Sequence, residues 1–140
     1  MFELIYCSAA KDGLTSTDIS DILKIARDFN KKNNITGCLL YHNNEFIQIL
    51  EGDKKIVQEL YSKIVKDIRN FNVNLIAEGE KTEKSFENWS MAYKEFNKND
   101  LHNLNETIFK SNIIAFSELI DKPTYAVKLF WYMAKQLLTE

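Results

Sequence analysis

An α+β fold follows from three features of this 140-residue sequence. Short segments alternate apolar and polar residues with the period of a strand. Two longer segments repeat their apolar residues with the period of a helix, and the segments come in the order β-α-β-β-α-β-β. The first six form the ferredoxin-like arrangement, with two helices on one face of an antiparallel sheet and the first and third strands side by side at its centre. One further strand is added, and C-terminal helices are expected on the opposite face.

The first strand runs from Phe2 to Ser8, with Phe2, Leu4, Tyr6 and Ser8 on one side and Glu3, Ile5 and Cys7 on the other. "KDG" supplies a turn, and "LTSTDISD" supplies cap residues and first-turn acids for a helix. That helix reaches about Asn33, with Ile19, Ile22, Leu23, Ile25, Ala26 and Phe29 along its apolar side. "ITGCLLYHNNEFIQILEG" reads as a hairpin turning near His42-Asn43-Asn44. Asp53 caps a second helix extending to about Asn70, whose apolar side carries Ile56, Val57, Leu60, Tyr61, Ile64, Val65 and Ile68. "VNLIAEG" gives the fourth strand, and "FENWSMAY" a fifth on which Trp89 and Met91 share a face. The composition then shifts to helix formers broken at Asp121-Lys122-Pro123, dividing the chain into a core over 1–95 and a helical extension over 96–140. Within the extension, Thr124 to Leu138 is apolar around most of its circumference. Such a helix needs cover on several sides: the back of the sheet, and then a neighbouring helix or another subunit.

Composition narrows the function. A chain of this length that is 45% apolar can bury a core without disulfides or metal. Its net charge of −2 leaves no footprint for nucleic acid. "MFELIYCSAA" has no basic lead and is interrupted by Glu3, unlike a secretory signal, and no stretch nears the ~18 consecutive apolar residues of a membrane span. A cytoplasmic protein is expected, with Cys7 and Cys38 as reduced strand residues. His42 and His102 form no zinc pattern, so no metal is expected. Neither a Gly-rich phosphate loop nor a GxSxG elbow is present, so the chain does not read as an enzyme.

Polar residues on apolar faces are the informative ones. In "EFIQILEG", Gln48 occupies the middle of a strand whose two faces are both apolar. A buried amide without partners costs roughly 1–3 kcal/mol, so protein, water or a ligand must satisfy it. Around the first helix Asn30 falls within the stripe of Ile19, Ile22, Leu23 and Ala26, and on the second Asp67 falls beside Leu60 and Ile56. If Tyr6 and Gln48 face the helices, these four side chains converge on one slot between the helices and above the sheet. Three of them also have a plain reading, and Gln48, in the middle of a central strand, is the hardest to dismiss. A buried tyrosine ordinarily bonds a carbonyl, Asn30 suits a helix C-cap, and Asp67 suits pairing with Lys63 or Arg69. Taken together they suit an apolar slot for a flat heterocycle with polar edges, without naming it.

Six segments in register, "LIYCS", "ARDFN", "NITGCLLY", "FIQILEG", "KDIRN" and "FENWSM", resemble the BLUF domains, blue-light sensors using flavin. The resemblance covers about Met1 to Tyr93. It implies that FAD, or alternatively FMN or riboflavin, lies non-covalently between the two helices. Asn30 would then bond the O4/N3 edge of the ring, while Arg69, Asp67 and Asn70 would lie around its O2 and N1 side or the ribityl chain. Ile22 and Ile64 would sandwich the ring faces, and Tyr6 and Gln48 would form a hydrogen-bonded pair beside N5 and O4. Trp89 and Met91 would respond to Gln48. Three positions depart from the family pattern: Phe29 in place of a second polar residue, Asn70 in place of a histidine, and Asn34 in place of glycine.

The resemblance implies a photoreceptor rather than an enzyme, with about forty residues after the core to carry the signal. The expected output is protein contact, through a homo-oligomer formed by the C-terminal helices or an unidentified protein partner, with no nucleic acid and no membrane. Two other readings stay open: a ferredoxin-like regulatory module binding a small effector, and an acylphosphatase-like hydrolase. The second lacks a backbone nest near Arg27 or Arg69 to hold a phosphate.

Overall fold

The computed structural model describes residues 1–42, 44–86, 92–96 and 124–139, and among these it has five strands and three helices. In chain order they are β1 (Phe2–Ala10), α1 (Ser16–Lys32), β2 (Thr36–His42), β3 (Glu45–Gly52), α2 (Lys54–Lys66), β4 (Asn70–Glu80), β5 (Ala92–Phe96) and α3 (Tyr125–Thr139). The strands form one sheet in the order β4-β1-β3-β2-β5. β1 runs antiparallel to both β4 and β3, β2 antiparallel to β3, and β5 parallel to β2. The ferredoxin-like reading holds, and β1 and β3 are neighbours at the centre.

Alternation along β1 divides the interior in two. Phe2, Leu4 and Tyr6 join Ile19, Leu23, Leu39, Leu50 and Val57 in a core beneath α1 and α2. Ile5 joins Cys38, Leu40, Ile47 and Ile49 in a second core on the opposite face, covered by α3 through Val127, Phe130, Trp131 and Ala134. Phe86 stands between the rear of the sheet and α3, edge-on to Phe130 with ring centroids 5.9 Å apart. The exposed side of α3 presents Tyr125 and Tyr132. No helix among the described residues is long and apolar enough to cross a membrane.

Local chemistry sets the element ends. Thr15 and Asp18 form a reciprocal capping box at the start of α1, each side chain bonded to the other's backbone N–H at 3.1 and 2.9 Å. Asn33 closes the helix, its Nδ2 donating to the Phe29 carbonyl at 2.9 Å, and Asn34, where the family often has glycine, takes a left-handed φ of 56° that asparagine accepts. Asp53 caps α2 as expected by accepting from Ile56 N–H at 3.2 Å. Gly37 on β2 is obligatory for another reason: a Cβ there would stand 2.0 Å from the Ile49 carbonyl oxygen on β3.

α2 ends at Lys66, four residues before the Asn70 expected from its apolar period. The side chains of "KDIRN" compete with the helix. Asp67 turns extended and its carboxylate accepts from the Arg69 N–H at 2.9 Å. Asn70 Nδ2 donates to the Ile64 and Asp67 carbonyls at 3.0 and 2.9 Å, capping the helix end. Asp67 therefore sits in the turn and not on the helix face, and Ile68 leaves the apolar stripe to stand 81% exposed. Val65 and Ile25, assigned to apolar sides by period, are exposed as well. The fifth strand is described over Ala92–Phe96, overlapping "FENWSMAY" only at its end, and Trp89 and Met91 lie outside the described residues.

Candidate functional site

A cavity of about 300 Å³ opens between α1 and α2 above the centre of the sheet. Its floor is the central pair of strands, where the antiparallel register sets Tyr6 of β1 directly opposite Gln48 of β3. The Tyr6 hydroxyl donates to Gln48 Oε1 through a buried contact. This explains how an amide sits between two apolar faces: its carbonyl end accepts from the phenol, and the bond offsets the cost of taking both groups out of water.

Burial pushes the Tyr6 phenol well above its ordinary pKa, with Tyr61 and Asp67 adding to the shift. The phenol is therefore neutral and able to donate. The Tyr61 ring from α2 stands 5.6 Å from the Tyr6 ring, fixing it from above.

The walls and rim come from the helices. α1 supplies Ile22, Ala26, Phe29 and buried Asn30, and α2 supplies Leu60, Lys63 and Ile64. The turn after α2 supplies Asp67, Arg69 and Asn70. Asp67 is paired with Arg69, whose Nε lies 2.9 Å from Oδ1 and 3.1 Å from Oδ2. The Arg69 guanidinium so placed holds the Asp67 carboxyl below the usual carboxylate range. Of the two pairings open to Asp67 from sequence, the one with Arg69 forms.

Eight sequence-selected positions, Tyr6, Ile22, Asn30, Gln48, Ile64, Asp67, Arg69 and Asn70, thus line one cavity. Asn70 contributes less than expected, since its Nδ2 is engaged by backbone carbonyls. Asn30 is not the C-cap of α1; Asn33 is. Sequence reasoning missed Lys63, whose Nζ lies 5.2 Å from the Phe29 ring centroid and bridges the helices at the cavity mouth.

Apolar walls, a buried donor–acceptor pair at the floor and charged groups at the rim suit a planar, mostly apolar heterocycle with hydrogen-bonding edges. The donor set fits a flavin: it offers Tyr6 and Gln48 on one side, Asn30 on α1, and Arg69 with Lys63 at the opening. Such a sheet-and-two-helix clamp defines a small cofactor-binding module. Residues 1–92 match the family described as sensors of blue light using FAD, and the chain belongs to this BLUF family. Flavin is thus the chromophore of the module, and blue light its stimulus.

Relatives show the module in several settings. The chain is 41% identical over 73 residues to the photoactivated adenylate cyclase subunit alpha of Euglena gracilis, covering 52% of this chain and 7% of that protein. It is 34% identical over 70 residues to the blue light- and temperature-regulated antirepressor BluF of Escherichia coli (strain K12), covering 50% of this chain and 17% of that one. The photo-activated state of BlsA superposes with a TM-score of 0.69 at 33% identity, covering 99% of this chain and 95% of that one. The chain spans a small part of the first two relatives and nearly all of the third.

Proposed function

We propose that Tyr6 and Gln48 are the photoactive pair of this blue-light sensor and that its signal leaves as a change of protein contacts, without catalysis. The observation that carries the reading is the buried hydrogen bond from Tyr6 to Gln48 on the floor of the cavity. Flavin, when bound and excited by blue light, supplies a strong oxidant. Ile22 and Ile64 would flank it, and Asn30, Arg69 and, more loosely, Asp67 and Asn70 would meet its polar edges. Tyr6 gives up an electron and its phenolic proton and recovers both, so nothing is consumed. While the phenol is without its proton, the acceptor end of Gln48 loses its donor. A primary amide can then turn or tautomerise, reversing what it presents to its neighbours. Trp89 and Met91 remain the proposed positions that follow Gln48.

The core over 1–95 would hold the chromophore and the extension over 96–140 would carry the output. Tyr125 and Tyr132, seven residues apart and exposed on α3, support an oligomer or partner contact through this helix. A cytosolic location accords with the free thiols of Cys7 and Cys38.

Absorption spectroscopy tests the reading. Purified protein should be yellow, and its flavin band should move reversibly to longer wavelength in blue light. A colourless preparation that takes up no added FAD would overturn it in favour of an effector-binding module.

A further inference from the structure

Among the described residues, three charged side chains are buried on the mostly apolar rear face of the sheet: Glu3 of β1, Glu51 of β3 and Lys81 just after β4, at 1%, 0% and 9% exposure. Glu3 and Glu51 are direct cross-strand partners. Like charges so placed repel, and a cation must stand between them. Lys81 Nζ does so, 2.7 Å from Glu51 Oε2 and 3.3 Å from Glu3 Oε1. Among the described residues, one lysine meets both carboxylates.

The two carboxylates are held differently. Glu51 is tied into the sheet and the segment after β4, accepting from Thr36 Oγ1 at 2.8 Å and from the Ser85 and Phe86 N–H groups at 2.9 and 2.6 Å. Glu3 instead accepts from Thr124 Oγ1, at 2.6 and 2.8 Å to its two oxygens. Thr124 immediately precedes α3 and its hydroxyl accepts from Val127 N–H at 3.2 Å, so it caps the helix. The negative charge of Glu3 thus stands at the positive end of the α3 dipole.

The placement repeats that of the photoactive pair. Tyr6 faces Gln48 across β1 and β3 on the front of the sheet, and three residues along each strand Glu3 faces Glu51 on the back. We infer that the Glu3–Lys81–Glu51 cluster is the joint through which β1 and β3 position the N-terminus of α3. A relative shift of the two strands that accompanies a new Tyr6–Gln48 arrangement alters the spacing of the carboxylates around Lys81. Thr124, and with it the first turns of α3, follow. Glu3 and Lys81 are here positioning residues and touch nothing in the cavity.

The inference rests on the light-sensing reading, so its test records both responses in the same samples. Amide hydrogen exchange of residues 125–131 is measured in darkness and under blue light for the full chain, alongside the flavin spectrum. The wild type should show a light–dark difference in α3. Glu3→Gln should keep flavin and red shift, exchange several-fold faster in α3 in the dark, and lose the light–dark difference. Thr124→Val leaves the buried ions in place but removes the hydroxyl that both meets Glu3 and caps α3, so its dark exchange rises for either reason and its diagnostic readout is the loss of the light–dark difference. A light–dark difference that persists in both variants overturns the joint and leaves the cluster a stabiliser of the fold. A wild-type red shift with no response in α3 overturns the joint alone, while the absence of any red shift overturns both readings.

Discussion

Replacing Gln48 by leucine separates the switching amide from the walls that hold the chromophore. Leucine is close in size to glutamine, and the cavity walls contributed by α1 and α2 are untouched. What disappears is the acceptor of the buried Tyr6 hydroxyl. Leaving that donor unmatched should cost about 1–3 kcal/mol of folding stability. For flavin retention the loss is at most one neutral hydrogen bond, about 1 kcal/mol, or roughly five-fold in Kd. The variant should therefore purify yellow. Its dark–light difference spectrum should lack the red shift, because leucine has no donor and acceptor ends to exchange. An ordinary red shift in Gln48→Leu would refute the assignment of the switch. Loss of flavin by roughly a hundred-fold in Kd, about 2.7 kcal/mol, would show instead that Gln48 mainly holds the ligand.

Tyr6→Phe should retain flavin and lose the normal red shift, since it removes both the oxidisable group and the hydrogen bond donated to Gln48; transient absorption with an unaltered photocycle would count against it. Gly37→Ala places a Cβ 2.0 Å from the Ile49 carbonyl, next to Gln48, so β3 must move; a stability loss of about 1–3 kcal/mol and a displaced dark flavin band are expected on denaturation and absorption. The folded pKa of Tyr6 lies above its unfolded value near 10, so its contribution to stability is complete below about pH 10 and is lost as pH rises towards the folded value. Photocycle amplitude should accordingly stay flat from about pH 6 to about pH 9, and tyrosinate absorption rising in that range in the dark protein but not in Tyr6→Phe would contradict the buried neutral phenol. Among the described residues Lys63 forms no ion pair, and Lys63→Ala should weaken FMN and FAD relative to riboflavin by up to about five-fold in titrations, as expected for an exposed charge meeting a phosphate. Equal loss for all three flavins would place the phosphates elsewhere.

Period and register made the floor of the site legible, because a strand's alternation is unambiguous. Tyr6 shares a face with Phe2 and Leu4, and an antiparallel pair of central strands brings it against Gln48. Asn30 was legible for the same reason on a helix. The end of α2 was not, since helical period carries no information about where side chains capture the backbone. Asp67 and Asn70 turned the chain at positions where Ile68 still fitted the apolar stripe. Lys63 escaped because a lysine at a cavity mouth has the same local pattern as one in solvent. The rear cluster escaped for a related reason. Glu3 and Glu51 look like interruptions of apolar strands until Lys81, far along the chain, is seen between them.

That cluster bears on how a small module can send a signal without moving its chromophore far. A sheet two residues in period must present alternate side chains to opposite layers, so any strand that carries a photochemical group in front carries something else behind. In β1 and β3 the front positions hold a neutral phenol and an amide, whose rearrangement involves hydrogen bonds of about 1 kcal/mol each. The rear positions hold paired charges in an apolar layer, where removing one partner of such a pair costs about 3–5 kcal/mol. A displacement of the two strands is therefore met behind by ionic contacts whose loss costs more than that of a single neutral hydrogen bond in front. The same strands that gain little by moving in front have much to lose behind, and α3, capped against Glu3, is the element placed to register it.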